Sequence, residues 1–496
     1  MKFIIRFFPE ITIKSRSVRQ QQIKQLKKNI RQIVKEICEP ARVGGCWDMV
    51  EVEVPNDAST STLTQISDAL TCIPGIHHFM EAKEYPLPSR SRICEITLSE
   101  LGDTLAGKTF AVRVQRTGNH DFRSIDLERE VGGYLLAHTQ SAGVKLKTPD
   151  VQIMLQVHHD RLFVVTRRRE GMGGYPLGTQ ENVATLISGG FDSCVAAWQM
   201  YQRGIYTHFI FFRLGGAAHE EGVKQVAYYL WQRYGPSQRV KFVTVPFEGV
   251  VEDILTHVDD GLMGVVLKRA MIRCADQVAY RLKTSALVTG EAIAQVSSQT
   301  ITNLQVIDRA TERLILRPLI TTNKQQIVDQ AKQIGAAVFA EAIPEYCAVI
   351  SKRPTIRAKL FEVEAQEAKL SANVLNEALQ NAVYQPITEV PNDLASRQVA
   401  KELLPEQPKP ASGVVVLDVR PPDEVADNPL SIDSIEVQAM PFYRLHSGFA
   451  SLDQQREYWL YCDKGVMSQL QARNLRDAGF DNVRVCPADL VMTKSD

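Results

Sequence analysis

From about residue 178 onward, predicted strands and helices alternate along the chain, and this alternation constrains the fold more than any other feature. Apolar runs that favour strands and amphipathic segments that favour helices follow one another at 183–187, 194–203, 206–212, 220–234, 240–245, 262–283, 285–289 and 324–334. Such a repeat is typical of a parallel, doubly wound sheet with helices on both faces. We therefore predict a doubly wound α/β domain over residues 178–385.

A glycine-rich hexapeptide follows the first predicted strand of this domain. The strand 183–187 leads directly into Ser-Gly-Gly-Phe-Asp-Ser at 188–193, and a helix comes next. Two glycines let the backbone approach an anion closely, and a helix N-terminus directs N–H groups and partial positive charge at it. The carboxyl end of a strand is also where open α/β sheets bind ligands. The hexapeptide thus predicts a phosphate site, with a purely structural glycine turn as the alternative.

The hexapeptide resembles the PP-loop of the ATP pyrophosphatases, which split ATP between its α and β phosphates and adenylate their substrate. The GxxxxGK[ST] loop of kinases and GTPases is absent from the chain. Because Asp192 lies among the expected phosphate ligands, we expect it to bind Mg²⁺.

Other side chains of this domain are weaker candidates. Lys268, Arg269 and Arg273 on the predicted helix 262–283 could reach phosphates, although each alone is more often structural. Thr322 and Gln325 predict a capping box for the helix 324–334, which is a structural feature.

Near the C-terminus, a cysteine lies at a predicted strand-to-helix turn. The apolar run Trp459-Leu460-Tyr461 leads into Cys462, and Lys464 and Ser468 follow before a helix. Backbone N–H groups and a helix N-terminus at such a turn lower a thiol's pKa and favour the thiolate. A thiolate surrounded by amides can also carry a second sulfur as a persulfide. A buried core cysteine is the alternative.

The nine cysteines otherwise indicate a reducing compartment. Their number is odd, no two form a CxxC pair, and none has zinc-ligand spacing. We expect Cys194 and Cys274 to be packing residues. The paired histidines at 77–78 and 158–159 have no sequence partner at metal spacing, so we assign them no catalytic role. No apolar run approaches the roughly 20 residues that cross a bilayer, and no signal peptide is recognisable. We expect a cytoplasmic protein with no membrane partner.

The N-terminal part of the chain is basic. Residues 1–50 contain eleven Lys and Arg against four Asp and Glu, although the whole chain has a net charge of zero. Strands at 2–7 and 11–14 and a helix at 17–38 begin a first α+β unit, and a second unit runs from about 77 to 168. The basic helix predicts either a nucleic-acid surface or an ordinary solvated face.

The last third of the chain contains a polar segment and a final domain. Residues 386–412 are rich in Pro, Asn, Glu, Gln and Ser, which predicts a flexible linker. An α/β unit follows over 413–490, where Cys462-x-x-Gly465-x-x-Ser468 resembles the active loop of a rhodanese.

Together these motifs resemble the ThiI family, the tRNA 4-thiouridine synthases. The combination of SGGFDS with a C-terminal CxxGxxS is more specific than either motif alone. The resemblance implies a multidomain α/β protein: a ferredoxin-like unit at 1–75, a THUMP RNA-binding unit at 64–168, the PP-loop domain at 178–385 and a rhodanese-like domain at 413–490.

The family implies a chemistry and its partners. ATP adenylates O4 of uridine 8 in tRNA, a cysteine desulfurase loads sulfur onto Cys462, and the Cys462 persulfide attacks C4. Cys347 matches the family's second cysteine, which can form a disulfide with Cys462 during turnover. The same family can pass sulfur to a sulfur-carrier protein for thiamine synthesis. The implied ATP-binding residues are Leu186, Ile187, Ser188, Gly189, Gly190, Ser193, Lys268, Gly290 and Gln299.

Two other functions remain open at the level of sequence. One is a PP-loop ligase that acts on a small molecule, against which the basic N-terminus and the terminal cysteine motif argue. The other is a sulfur carrier for thiamine synthesis only, which the intact hexapeptide makes less attractive.

Overall fold

The structure is a computed structural model of the 496-residue chain. It describes all residues except 46–48, 215–216, 342, 344–350, 352, 398–412, 421–424, 426–428, 433–434, 443–444, 446–447, 463–467, 469–470, 473–474, 477 and 487–496. The chain divides into two compact units. The first comprises residues 1–180, 201–205 and 233–238, and the second comprises residues 181–200, 206–232 and 239–496.

The first unit is an α+β structure built on one sheet. Its elements are β1 (Lys2–Phe7), α1 (Pro9–Thr12), α2 (Arg16–Ile37), β2 (Arg42–Gly45), β3 (Val50–Glu53), α3 (Thr60–Thr71), β4 (Ile76–Pro86), α4 (Arg90–Leu101), β5 (Thr109–Thr117), α5 (Ser124–His138), β6 (Gly143–Val144), β7 (Val151–His158) and β8 (Arg161–Glu170). The strand order in the sheet is β2-β3-β1-β4-β8-β7-β5-β6.

Strand β4 joins what the sequence predicts as two separate α+β units. It pairs antiparallel with β1 on one side and with β8 on the other, so both predicted units share one eight-stranded sheet. The predicted strand at 11–14 is wrong, because residues 9–12 form helix α1. Pro9 stands at the start of that helix, where its fixed φ and missing N–H are tolerated.

Helix α2 is amphipathic, as its sequence predicts. Ile23, Leu26, Ile30 and Val34 are buried in the core of the N-terminal part of the sheet. The exposed side carries a row of basic residues, namely Arg16, Lys24, Lys28, Arg31 and Lys35. The basic charge of the N-terminus is therefore displayed on the surface.

Elements β9 to β14 and α6 to α15 form the α/β part of the second unit. They are β9 (Val183–Leu186), α6 (Phe191–Gln202), β10 (Thr207–Arg213), α7 (Ala217–Tyr234), β11 (Lys241–Pro246), α8 (Glu248–His257), α9 (Met263–Leu282), β12 (Ala286–Val288), α10 (Ile301–Asp308), β13 (Leu314–Leu316), α11 (Lys324–Gln333), α12 (Ala337–Ala340), α13 (Leu360–Glu367), α14 (Val374–Gln380), β14 (Val383–Pro386) and α15 (Val390–Arg397).

The sheet of this part has the order β13-β12-β9-β10-β11-β14 and is parallel except for the edge strand β14. The predicted parallel, doubly wound sheet is confirmed. Strand β10 is buried at six of its seven residues, as expected where helices cover both faces of a sheet. The strand order reverses between β9 and β12, so the crevice at their carboxyl ends is the expected ligand position.

The predicted flexible linker 386–412 begins with regular structure. Pro386 ends strand β14, and helix α15 occupies 390–397. The Lys224 ammonium, which is almost fully buried, lies 2.6 Å from the Asp393 carboxylate and ties α15 to α7. Polar composition therefore misidentifies 386–397 as a linker, because an ion pair with a distant helix stabilises it. Residues 398–412 lie outside the described residues.

A four-stranded parallel sheet ends the chain. It consists of β15 (Val415–Asp418), β16 (Glu436–Ala439), β17 (Tyr458–Tyr461) and β18 (Val483–Val485), in the order β16-β15-β17-β18. The two central strands, β15 and β17, are buried at every residue. Among the described residues, no helix is long and apolar enough to cross a membrane.

Candidate active site

The hexapeptide 188–193 folds into a loop that is closed by hydrogen bonds between its own ends. The Ser188 N–H donates to Ser193 Oγ at 3.3 Å, and the two serine Oγ atoms lie 3.3 Å apart. Ser193 Oγ also donates to the Gly190 carbonyl at 3.0 Å. The loop is thus preformed between β9 and α6, with the N-terminus of α6 at Phe191. This geometry fits the anion site that the sequence predicts.

Two glycines bring other segments into contact with this loop. Gly189 has a φ of +86°, and a Cβ there would lie 2.6 Å from Ile343 Cδ1. At Gly290, just after β12, a Cβ would lie 2.6 Å from the Asp192 carbonyl carbon and 2.7 Å from the Ser193 nitrogen. Gly189 is favoured by its positive φ, and Gly290 by backbone atoms that leave no room for a Cβ. The two backbones of the expected crevice therefore meet at Gly290.

The Asp192 carboxylate is held by two side chains that the sequence analysis missed. Lys324 Nζ lies 2.9 Å from Oδ2 and 3.0 Å from Oδ1, and Gln295 Nε2 donates to Oδ2 at 2.9 Å. Lys324 is the first residue of helix α11, so its side chain starts from a fixed backbone. A cation therefore already lies where the sequence predicts that Asp192 binds one.

Gln295 reaches Asp192 from a strained loop. Ala294 has a φ of +64°, a left-handed conformation that costs a residue other than glycine about 1–2 kcal/mol. The Ala294 N–H donates to the Gln299 carbonyl at 3.0 Å, which closes a tight turn. Backbone strain of this kind is retained where the surrounding structure enforces it, and it concentrates at functional sites.

Gln299, which the family resemblance implies for ATP binding, has an unsatisfied acceptor. Its Oε1 is buried and has no hydrogen-bond partner among the described residues. A buried unpaired acceptor costs about 1–3 kcal/mol. A ligand N–H group is the kind of partner that would satisfy it.

A buried ionic cluster lies beside the loop that follows β12. Glu291 is 4% exposed, and its carboxylate lies 2.9 Å from Arg317 Nε and 3.8 Å from Lys268 Nζ. Burial by itself raises the pKa of Glu291, but the charges of Lys268 and Arg317 outweigh this and hold the pKa below its usual value. Glu291 thus fixes Lys268, the predicted ATP ligand, next to Gly290.

Arg269 and Arg273, the weaker phosphate candidates of the sequence, both pair with the carboxylate of Glu367. Arg269 is 1% exposed, and its Nε donates to Glu367 Oε1 at 2.7 Å. Arg273 donates to the other oxygen of Glu367 at 2.7 Å. Both guanidinium groups therefore tie α9 to α13. The predicted capping box is also displaced by one residue, since Asn323 and Gln326 form it.

A buried histidine, His219, forms a hydrogen bond with the loop 188–193. It is 5% exposed, and its Nε2 donates to the Ser188 carbonyl at 3.2 Å. Burial lowers the pKa of His219 to about 4, so the imidazole is neutral at neutral pH. It acts on the loop as a hydrogen-bond donor without adding charge.

Most cysteines are packing residues, as expected. Cys194 and Cys274 are buried, and burial raises the pKa of each thiol to about 12. Neither is therefore a thiolate near pH 7.

Cys462 lies at the carboxyl end of β17 and differs from them in its hydrogen bonds. Its Sγ accepts from the Ser468 N–H at 3.3 Å and lies 3.4 Å from Ser468 Oγ. Two polar groups of Ser468 thus face one sulfur. Residues 463–467, which include Lys464 and Gly465, lie outside the described residues.

A buried ion pair fixes the strand end that carries Cys462. Arg420 Nη2 lies 2.7 Å from Asp418 Oδ2, and both side chains are at most 3% exposed. The Arg420 guanidinium lies 5.2 Å from the centre of the Tyr461 ring, and the Val419 N–H donates to the Tyr461 carbonyl at 3.0 Å. The residue before Cys462 is therefore held through both its side chain and its backbone.

Cys347 lies outside the described residues. Ile343, which the structure describes, lies four positions before Cys347. Its Cδ1 is the atom that would lie 2.6 Å from a Cβ at Gly189. On the other side, Ser351 Oγ donates to the Asp260 carbonyl at 2.6 Å.

Comparisons with known families match most of the chain. Residues 2–80 match the ThiI ferredoxin-like domain, residues 98–167 the THUMP domain, and residues 178–372 the family described as thiamine biosynthesis protein (ThiI).

Similar proteins are known from several bacteria. A tRNA sulfurtransferase of Shewanella frigidimarina is 50% identical over 98% of this chain and 99% of its own length. A tRNA sulfurtransferase of Pseudomonas aeruginosa is 51% identical, again over 98% of this chain and 99% of its own.

One solved structure is similar over much of the chain. It is described as a 4-thiouridine synthetase–RNA complex with bound ATP, and it matches with a TM-score of 0.68 over 78% of this chain and 99% of its own. At 23% identity, this match establishes the fold.

Proposed function

The chain belongs to the ThiI family of tRNA sulfurtransferases, and on this premise we propose that it converts uridine 8 of tRNA to 4-thiouridine. ATP first adenylates O4 of the uridine, and a persulfide on Cys462 then supplies the sulfur. One observation carries the proposal. A single chain contains both a preformed, glycine-containing loop at 188–193 and a cysteine sulfur that lies against the backbone N–H and the hydroxyl of Ser468.

The first step is activation of the uridine. O4 attacks the α-phosphorus of ATP, the bond to the β-phosphate breaks, and pyrophosphate leaves. Gly189, Gly190 and the start of α6 would hold the phosphates through backbone N–H groups. The unsatisfied Gln299 Oε1 supports a ligand N–H nearby. Leu186 and Ile187 end β9 beneath the loop, in keeping with their implied contact with ATP.

Lys324 supplies the charge for this step. Its ammonium, now on Asp192, would move to the phosphates that become the leaving group and stabilise their developing negative charge. Asp192 would in turn hold Mg²⁺ in place of the ammonium, which fits a carboxylate that already binds a cation. When bound, Mg²⁺ neutralises phosphate charge.

The second step transfers sulfur. A cysteine desulfurase loads Cys462, the outer persulfide sulfur attacks C4, and AMP leaves with the former O4. Cys347 then attacks Cys462 Sγ, the S–S bond breaks, and its electron pair stays on the sulfur at C4 as 4-thiouridine. The resulting Cys347–Cys462 disulfide needs a thiol reductant before the next turnover. The Ser468 N–H, which donates to Cys462 Sγ at 3.3 Å, supports an anionic sulfur at position 462.

The first unit is assigned to tRNA binding. Its match to the THUMP domain and the exposed basic residues of α2 support a surface that contacts phosphates. Such binding weakens steeply with salt, which distinguishes it from recognition of a small molecule.

A tRNA thiolation assay tests the proposal. Unmodified tRNA, ATP, Mg²⁺, cysteine and a desulfurase are incubated with the intact protein, and nucleosides are measured by mass spectrometry. We expect 4-thiouridine from the intact protein and none from Asp192→Asn or Cys462→Ser. Cys38→Ser, which alters a partly buried cysteine of the first unit, serves as the matched control and should keep activity.

The two variants separate the two steps. Asp192→Asn should still accept sulfur from the desulfurase, and Cys462→Ser should still release pyrophosphate and leave the uridine adenylated. An intact protein that accepts sulfur at Cys462 but never thiolates tRNA would contradict the proposal.

The same persulfide would also serve thiamine synthesis through a sulfur-carrier protein. The match of residues 178–372 to a family described as thiamine biosynthesis protein supports this second role. It requires Cys462 but not tRNA, so sulfur transfer to the carrier should persist without tRNA and disappear in Cys462→Ser.

A further inference from the structure

Two histidines and a glutamate meet on strands β4 and β8 of the eight-stranded sheet. The sequence gives His77 and His78 no partner at metal-ligand spacing, but the fold supplies one. His78 and Glu170 are paired in the antiparallel register of β4 and β8. Donor atoms of His77, His78 and Glu170 all lie within 4.8 Å of one another, the one such cluster found among the described residues.

The two imidazoles face each other through the same ring atom. His77 Nδ1 and His78 Nδ1 lie 2.9 Å apart, so one of the two carries a proton that it donates to the other. Two nitrogens bound to one tetrahedral zinc ion at about 2.0–2.1 Å lie about 3.3 Å apart. The rings would therefore separate by only about 0.4 Å when an ion replaces the shared proton.

The backbone around the cluster is fixed on both sides. The Gly171 N–H donates to the His77 carbonyl at 2.7 Å, and the Gly173 N–H donates to the Ile76 carbonyl at 2.8 Å. Residues 171–173 thus continue the pairing with β4 beyond the end of β8. The backbone that carries His77, His78 and Glu170 is therefore held by hydrogen bonds on both strands.

The ligand atoms of the cluster select the kind of ion. Two of the three ligands are imidazole nitrogens, which zinc-like transition metals prefer. Mg²⁺ and Ca²⁺ prefer oxygen ligands, and Glu170 is the one oxygen ligand of the cluster. Arg168 Nη2 donates to Glu170 Oε1 at 3.2 Å.

We propose that His77, His78 and Glu170 bind a zinc-class divalent metal ion that links strand β4 to strand β8. Two imidazoles and one carboxylate leave the fourth tetrahedral position to water. The ion joins the strand at the end of the ferredoxin-like match to the strand at the end of the THUMP match. Because it binds the folded sheet only, it stabilises the first unit. The site is independent of the proposed sulfur chemistry.

Cobalt binding tests the proposal on the full chain. Because Cys462 could itself bind metal, the parent protein is Cys462→Ser, freed of metal by chelator and dialysis. Titration with Co²⁺ should show tight binding of one equivalent of metal. The visible absorption spectrum should contain the d–d bands of Co²⁺ bound by nitrogen and oxygen, and it should lack a thiolate charge-transfer band. Zn²⁺ should displace the Co²⁺ and raise the Tm of the parent protein.

Three variants locate the ion. His78→Gln and Glu170→Gln should each abolish the stoichiometric binding and the Tm increase, while His138→Gln, an exposed histidine of α5, should keep both. The Glu170 side chain is 68% exposed, so its replacement leaves the fold intact even if His78→Gln does not fold. No stoichiometric binding, a thiolate band, or binding that survives in Glu170→Gln would each overturn the proposal.

Discussion

Lys324 Nζ lies 2.9 Å from Asp192 Oδ2, although the two residues are 132 positions apart in the chain. This ion pair connects the first residue of α11 to the glycine-lined loop after β9. It also neutralises the one carboxylate of the loop before any ligand arrives. On the proposed mechanism, Mg²⁺ would replace the Lys324 ammonium at Asp192 when ATP binds.

Replacing Lys324 should slow the adenylation step. Lys324→Gln removes the cation that we assign to the leaving phosphates, and loss of one such electrostatic contact reduces kcat by about 10²–10³-fold. The measurement is tRNA-dependent release of pyrophosphate. Lys332→Gln, an exposed lysine in the last turn of the same helix, is the matched control and should leave the rate unchanged. Equal rates in the two variants would remove Lys324 from the mechanism.

Gly290→Ala should damage both stability and ATP use. The new Cβ would lie 2.6 Å from the Asp192 backbone, so one of the two segments has to shift. Overpacking of this kind costs about 1–3 kcal/mol of the free energy of unfolding. Denaturant unfolding and pyrophosphate release measure the two effects.

Gly264→Ala, a second glycine substitution in the same unit, should increase the free energy of unfolding. Gly264 lies in helix α9, and a Cβ there meets nothing within 4 Å. Alanine in a helix is more stable than glycine by up to about 1 kcal/mol. A destabilised Gly264→Ala, or a fully active Gly290→Ala, would contradict the geometry described for Gly290.

The elements that the sequence predicts well are those set by local patterns. The hexapeptide predicts its own turn because glycine, serine and a following helix act within a few residues. The sequence also predicts backbone N–H groups around Cys462, and the Ser468 N–H donates to its Sγ at 3.3 Å.

The elements that the sequence misses depend on distant partners. Gln295 and Lys324 reach Asp192 across 103 and 132 residues, and nothing local distinguishes them from ordinary polar residues. Arg269 looks like a phosphate ligand until Glu367, 98 residues away, pairs with it and buries it. Charge on a helix therefore predicts a ligand site only when the partner of each charge is known.

Ser468→Ala should weaken sulfur loading without abolishing it. The change removes the hydroxyl that lies 3.4 Å from Cys462 Sγ but keeps the Ser468 N–H, which donates at 3.3 Å. One hydrogen bond is worth about 0.5–1.5 kcal/mol, so we expect a decrease of roughly threefold to tenfold in the rate of persulfide formation. Mass spectrometry of the intact protein after reaction with a desulfurase gives that rate.

A serine elsewhere in the same domain supplies the control for this change. Ser451 is exposed, and its Oγ donates to the Gly448 carbonyl, so Ser451→Ala should load sulfur at the parent rate. If Ser468→Ala also loads at the parent rate, its hydroxyl has no part in stabilising the persulfide.

Acidification should destabilise the second unit between about pH 6.5 and pH 4. Burial lowers the pKa of both His208 and His219 from 6.5 to about 4. The unfolded chain therefore binds more protons than the folded chain in this range. The free energy of unfolding has its full value above pH 6.5. It decreases as the pH falls below that value, by at most about 1.4 kcal/mol per pH unit for each histidine.

His208→Gln should reduce this pH dependence by about half, because one of the two buried histidines no longer titrates. Denaturant unfolding at pH 7.0, 6.0 and 5.0 measures the slope, and His138→Gln, an exposed histidine, should keep the parent slope. The opposite result would be a free energy of unfolding that rises as the pH falls from 6.5. It would mean that His208 and His219 bind protons more tightly in the folded chain than in the unfolded chain. Their burial in neutral form would then be wrong, together with the role of His219 as an uncharged donor to the Ser188 carbonyl.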